Sequence, residues 1–238
     1  MSKRVKKRFT SEVKVIDFEP YLPQRKQRVF IQARNPNQKL YLQKLQDEEK
    51  SIVFAIGPAG TGKTMIAVQH GIKLFQEGIV DKIIVTRPAV SVDEDLGFLP
   101  GDLNEKMAPW TRPIFDVFGE YYQKKDITKM LEEGTIEISP LAYMRGRTFK
   151  NAYIVADEMQ NATQNQMKML LTRLGEGSKM VVTGDLAQAD RLKDNGLIDF
   201  CSLLGGNAYK HIDIVQFDAK DIERHEAVKE VLEIYGDS

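Results

Sequence analysis

Ile52-Val53-Phe54-Ala55-Ile56-Gly57-Pro58-Ala59-Gly60-Thr61-Gly62-Lys63-Thr64 is the stretch whose reading decides the fold, together with Met65, Val68, Ile72 and Phe75 behind it. Five apolar residues, enough for a short buried strand, run into a glycine-rich loop. That loop satisfies G-x-x-x-x-G-K-[ST] at Gly57, Gly62, Lys63 and Thr64. Glycines let the backbone wrap closely round a phosphate and turn its N–H groups inward. The helical period that follows, closed by Gly78, adds the positive end of a helix dipole. Lys63 would reach the outer phosphates of a nucleotide and the Thr64 hydroxyl would ligate Mg²⁺. Residues 57–64, with Pro58, Ala59, Gly60 and Thr61 between the motif positions, thus form a candidate ATP-binding loop.

Outward from this loop the pattern alternates. Lys82–Thr86, Ile136–Ser139, Ala152–Ala156, Lys179–Thr183 and His211–Gln216 have the length and apolar content of buried strands. Between them, Gln164–Leu174 reads as a helix ended by Gly175. Asp218 is a cap for a last helix with Val228, Val231, Leu232 and Tyr235 inward. Upstream, Asn35 or Asn37 can cap a helix from Gln38 to Lys44, with Leu42 and Leu45 inward. Short strands alternating with helices predict an α/β domain: a mainly parallel sheet covered by helices on both faces. Ligands of such sheets sit at the carboxyl ends of the strands. Residues 1–34 are expected to be a basic tail and extended segment, and residues 35–238 the folded domain.

Two further strands end in polar groups. Tyr153-Ile154-Val155-Ala156 delivers Asp157 and Glu158. Beside a phosphate loop, Asp157 can hold Mg²⁺ through water and Glu158 can polarise an attacking water as general base. The plain alternative is a pair of solvated acids opening a helix. Val181-Val182-Thr183-Gly184-Asp185 leads to Gln188, which could meet the terminal phosphate or the water; the alternative is a tight Gly-Asp turn.

Bulk properties narrow the class. Lys+Arg and Asp+Glu both number 34, so overall charge gives no support for a nucleic-acid partner. The acid-free start, with Lys3, Arg4, Lys6, Lys7 and Arg8, is either a solvated tail or a phosphate-binding arm. One cysteine, Cys201, excludes an intramolecular disulfide. No apolar run approaches the ~20 residues of a membrane span, and no secretory signal is visible, so a cytoplasmic protein is expected.

Taken together these blocks resemble superfamily 1 helicase-type ATPases, and more closely the PhoH family of ATPases. The likeness runs from about Asn35 to Tyr235. It is carried by Asn35-Pro36-Asn37-Gln38, Gly57–Thr64, Ile84-Val85-Thr86-Arg87-Pro88, the stretch Pro140–Phe149 containing Met144-Arg145-Gly146-Arg147-Thr148, Asp157-Glu158-Met159-Gln160-Asn161-Ala162-Thr163, Gly184-Asp185-Leu186-Ala187-Gln188 and Asp221-Ile222-Glu223-Arg224-His225. The resemblance implies a single RecA-like P-loop domain. It also implies that Gln38 reads adenine, an amide being able to pair with both N6 and N7, and that Arg224 lies near the γ-phosphate. Arg145 and Arg147 would face a neighbouring subunit or nucleic acid, and Arg87 would contact nucleic-acid phosphate. After Gln188 the chain departs from the family pattern, reading Ala189-Asp190-Arg191-Leu192 where a large apolar residue and Asp-Leu-Pro are expected. The family's link to phosphate starvation is one of naming and follows from none of these residues.

Helicases of that superfamily close two lobes on one nucleotide, whereas this chain has residues for one. A neighbouring copy supplying an arginine in trans would complete the site, so a head-to-tail homo-oligomer is expected, a hexamer by resemblance. The leading function is ATP hydrolysis coupled to single-stranded nucleic acid, RNA before DNA, with Trp110, Tyr121, Tyr122 and Tyr143 as stacking candidates. An ATP-dependent switch or scaffold and a small-molecule kinase are the alternatives, and Glu158 argues against the kinase. No Asn-Lys-x-Asp guanine-reading motif occurs.

Overall fold

A computed structural model describes residues 27–88, 103–189, 193–223 and 226–235. Within them lie β1 (Ile52–Ile56), β2 (Lys82–Thr86), β3 (Ile136–Ile138), β4 (Ala152–Ala156), β5 (Lys179–Gly184) and β6 (Ile212–Gln216). The helices are α1 (Pro36–Gln46), α2 (Lys63–Gln76), α3 (Leu103–Tyr121), α4 (Lys124–Glu132), α5 (Gln164–Leu171), α6 (Gly196–Leu204) and α7 (Glu226–Tyr235). The six strands form one sheet in the order β3-β2-β4-β5-β1-β6, and every pairing is parallel. The expected architecture holds.

Period-two alternation splits every strand but β3 between two cores. Val53, Ala55, Ile83, Val85, Tyr153, Val155 and Val181 pack under α1, α2, α3 and α4. Phe54, Ile84, Ile154, Met180 and Val182 point the other way, onto α5, α6 and the turns around Leu141 and Met159. Parallel strands buried on both faces read as unbroken apolar runs, which is how β1 and β4 read in the sequence. On the first face α2 lies very close to β4. A Cβ built on Gly71 would stand 2.5 Å from the Tyr153 ring, so only glycine fits there.

Several boundaries differ from expectation. The helix starting at Gln164 stops at Leu171, with Thr172 as its cap. Asp218 caps a single 3-10 turn, Ala219–Asp221, in which the Asp218 and Asp221 side chains cap each other's backbone. Ile222 then leaves in an extended conformation and α7 starts later, at Glu226. Of the residues expected inward on it, Val228 is 42% and Val231 48% exposed, while the side chains of Leu232 and Tyr235 lie outside the described residues. Three helices have no counterpart in the sequence reading. Pro109 and Pro113 sit inside α3, and proline is the strongest signal against a helix interior. The residues of α6 are too uniformly apolar to show a helical period, and the nine residues of α4 too few. Arg224, Asp190 and the basic run at Lys3–Arg8 lie outside the described residues. Ahead of α1, Val29 and Ile31 pack against the core, so packed structure reaches upstream of Asn35. Among the described residues no helix is long and apolar enough to cross a membrane.

His70, on α2, is 2% exposed, with Nδ1 3.2 Å from the Tyr153 hydroxyl. Burial, aided by Lys179 and Lys73, pushes its pKa down to about 3. The folded protein therefore keeps this ring neutral while the unfolded chain protonates it below about pH 6.5. Stability is present above pH 6.5 and is lost as pH falls toward 3, by about 2 kcal/mol at pH 5. Urea unfolding at pH 7 and pH 5 checks this: His70→Gln should show a smaller drop between the two pH values than wild type.

Candidate nucleotide site

The strand order places three chemically loaded strand ends side by side. Because β4, β5 and β1 are neighbours, the loops leaving their carboxyl ends converge. The loop after β1 is stitched to β5 by Gly57 N–H donating to Gly184 O (3.1 Å), and Phe217 N–H, after β6, donates to Ile56 O (2.7 Å). Gly57, Gly60 and Gly62 all have positive φ, and a Cβ on Gly57 would stand 2.3 Å from Phe217 O. The glycines of the motif are therefore required by conformation and by space. Gly62 caps α2 without a side chain, so no side chain competes for the first N–H groups of the helix.

Lys63 is 7% exposed, and its ammonium donates to Gly57 O (2.7 Å), Pro58 O (2.6 Å) and Thr61 Oγ1 (3.1 Å). Burial lowers its pKa, and Asp185, Glu158 and Asp157 oppose the shift. A cleft of about 250 Å³ opens in front of it, lined among others by Gly60, Thr64, Asp157, Glu158, Asp185 and Gln188. The three motifs read from sequence thus meet at one cleft, Gln188 included.

Asp157 is 1% exposed. Its Oδ1 accepts from Thr64 Oγ1 (2.7 Å) and from the Thr183 hydroxyl. Its Oδ2 accepts from Arg87 Nε (2.9 Å) and Nη2. Its own N–H donates to Thr86 O (2.9 Å), fixing the β4–β2 register at the mouth of the site. Glu158 stands in left-handed backbone, φ 56° and ψ 38°, a conformation that costs a non-glycine residue about 1–3 kcal/mol. The turn points the carboxylate off the strand line to the cleft, where it accepts from Gln160 Nε2 (2.6 Å). Gln160 is itself buried; its Oε1 accepts from Asp185 N–H (3.2 Å) and its carbonyl from Asn195 Nδ2 (2.6 Å). One amide therefore spans the acid loop and the loop after β5. The bridging role of Gln160 does not follow from its sequence position, because two of its partners, Asp185 and Asn195, come from distant segments.

The remaining expected residues separate. Gln38 reaches the loop but is 1% exposed, with Nε2 donating to Thr61 O (3.0 Å) and Oε1 accepting from Arg34 N–H (2.8 Å). Both ends of its amide hold the chain's own backbone. Arg147 makes a bidentate pair with Glu137 (Nη2 to Oε2, 2.8 Å) and lies 4.7 Å over the Phe149 ring, so its guanidinium is engaged within the chain. Arg145 is exposed beside Tyr143, which is 64% exposed. Tyr121 and Tyr122 are buried in the core, which removes them as stacking residues. The side chain of Trp110 lies outside the described residues. Asn37 Nδ2 donates to Asp221 Oδ2 (2.7 Å) and Glu223 N–H to Gly60 O (3.0 Å), tying the turn before α7 to α1 and to the loop.

The donor set suits a hard cation. Thr64 and Asp157 offer oxygens, and among the described residues no group of three or more His, Cys, Asp or Glu could cage a metal alone.

A family model described as "PhoH-like protein" matches residues 30–236. The chain belongs to the PhoH-like protein family. The PhoH-like protein of Bacillus subtilis is 44% identical over 207 residues, covering 86% of this chain and 64% of that protein. Protein PhoH of Escherichia coli K12 is 43% identical over 216 residues, 87% of this chain and 58% of that protein. The chain thus spans less than two thirds of the length of these curated PhoH-like relatives. Among solved structures, the N-terminal domain of the DNA packaging ATPase from bacteriophage phi29 gives a TM-score of 0.43 at 16% identity, over 77% of this chain and all of that one. At that score and identity the likeness has no bearing on what the PhoH-like chain does.

The backbone at Glu158 generates a stability test. Asparagine tolerates left-handed backbone better than glutamate, so Glu158→Asn should unfold a few degrees above wild type in a calorimetric scan, about 1 kcal/mol of relieved strain. A lower Tm for Glu158→Asn would contradict this account of the turn.

Proposed function

We propose that this PhoH-like chain is a Mg²⁺-dependent ATPase whose hydrolysis is coupled to single-stranded nucleic acid, RNA before DNA. The observation that carries the reading is the delivery of Asp157 and Glu158 by β4 into the same cleft as Lys63 and Thr64. Holding a triphosphate needs only the loop; the second acid adds what hydrolysis needs. The first N–H groups of α2 and the loop amides receive the phosphates, and the Lys63 ammonium meets their outer oxygens. Thr64 and Asp157 would hold Mg²⁺, which when bound withdraws charge from the β- and γ-phosphates. Glu158 orients a water in line with the γ-phosphorus and takes its proton as the new P–O bond forms. The β–γ bridging P–O bond breaks, ADP leaves with that electron pair, and phosphate is the second product. Gln160 holds the Glu158 carboxylate, and Gln188 stands at the cleft wall to meet the γ-phosphate or the water.

Transition-state charge needs a guanidinium as well. We assign it to Arg224, from the same chain or from a neighbour in a homo-oligomer of six, with Arg145 as the alternative donor across the interface. Support for nucleic acid comes from the 3-10 turn Leu141–Met144 and its sequel. There Tyr143 offers an exposed ring for stacking and Arg145 an exposed charge for phosphate. A cytoplasmic location accords with this reading.

Steady-state ATP hydrolysis with and without single-stranded RNA and DNA, at two salt concentrations, tests the proposal. Glu158→Gln should retain ATP binding and lose about 100-fold or more in rate. Tyr143→Ala should blunt the stimulation by RNA several-fold, and higher salt should weaken it in wild type. Phosphate appearing on a small metabolite would turn the assignment to a kinase, and slow turnover indifferent to every polynucleotide would turn it to a switch.

A further inference from the structure

Arg87 is the one cation that touches the candidate metal-site carboxylate among the described residues. It stands immediately after β2, where the pairing of β2 with β4 puts Thr86 beside Ala156. Nε and Nη2 both close on Oδ2 of Asp157, while Oδ1 is filled by Thr64 and Thr183. The guanidinium is only 17% exposed, and its Nη2 is also 3.9 Å from Glu158 Oε1. The two acids that follow β4 thus lie within reach of one guanidinium.

Two cations have a claim on one buried carboxylate. A divalent ion approaching Thr64 and Asp157 meets a carboxylate whose negative charge is already balanced at contact distance, in surroundings where Coulomb terms are large. Each oxygen of Asp157 is engaged, so a metal-bound water seeking Oδ2 has to take that oxygen from the guanidinium. On the reading above, in which Thr64 and Asp157 hold Mg²⁺, we propose that Arg87 is a built-in counter-cation of the metal site. It competes with Mg²⁺ for Asp157 and sets the Mg²⁺ concentration at which nucleotide is held. It is a positioning residue, acting through Asp157.

A second contact gives the pair a direction. The Arg87 carbonyl accepts from Leu141 N–H (3.2 Å), the first residue of the turn that displays Tyr143. The residue that balances the metal-site charge is therefore also bonded to the exposed turn.

The test is a titration of Mg²⁺ into the full chain with a fixed concentration of fluorescent mant-ADP, read as bound nucleotide. Arg87→Met, which keeps the length and removes the charge, should bind mant-ADP at a Mg²⁺ midpoint about tenfold lower than wild type. Arg87→Lys, which keeps a cation but not the two-pronged contact, should fall between them, and it carries the test if Arg87→Met does not fold. A midpoint unchanged or raised in these variants, with wild type binding mant-ADP in a Mg²⁺-dependent way, overturns the counter-cation while leaving the proposed function standing. If wild type holds no mant-ADP at any Mg²⁺ concentration, the nucleotide site itself is wrong and the counter-cation falls with it.

Discussion

A carboxylate taken out of water has to be surrounded by donors, and the site is arranged round that requirement at Asp157. Its donors come from three places: Thr64 from the first turn of α2, Thr183 from β5 and Arg87 from the end of β2, while its backbone is fixed by a bond to Thr86. None of these could be supplied if the strands lay in another order. With β4 between β2 and β5, and β5 beside β1, the carboxyl ends of four neighbouring strands deliver their polar groups to one point. Seen this way, the sheet order is a device for solvating one buried charge.

Much of this is legible in the sequence because each strand ends where its chemistry begins. The phosphate loop, Asp157 with Glu158, and Gly184–Gln188 each combine an apolar run with a local motif, and local patterns need no knowledge of the fold. Gln188 is the instructive case: its sequence context alone favours a simple turn, yet it lines the cleft with the rest. Residues whose partners lie far along the chain are harder to read. Gln160 works through Asp185 and Asn195, and Arg87 through an acid 70 positions away. Neither link has a sequence signature. The same limit holds for Gln38 and Arg147, whose side chains turn back onto their own chain, to Thr61 and Glu137.

The unanticipated helices have different causes. In α3 the prolines contradict a local rule that tertiary packing overrides: Ile114, Phe118 and Tyr121 are all buried against the first face of the sheet. Around Asp218 the difference is one of range. An N-cap signal marks the start of a helical turn and says nothing of how many turns follow, and here the reciprocal capping of Asp218 and Asp221 is complete after one.

The phosphate loop is also held from two distant parts of the chain. Asn35 and Asn37 bond to Asp221 across separations of 186 and 184 residues, Gln38 holds Thr61 O, and Glu223 N–H closes on Gly60 O. Early and late segments of the domain are tied over a loop that lies near its start. Chain growth on the ribosome runs from the N-terminus, so the loop emerges long before the residues that brace it. Its final geometry has to wait for contacts of very long sequence separation, the kind that closes most slowly. The part of this protein easiest to find in the sequence is therefore among the last to take its shape.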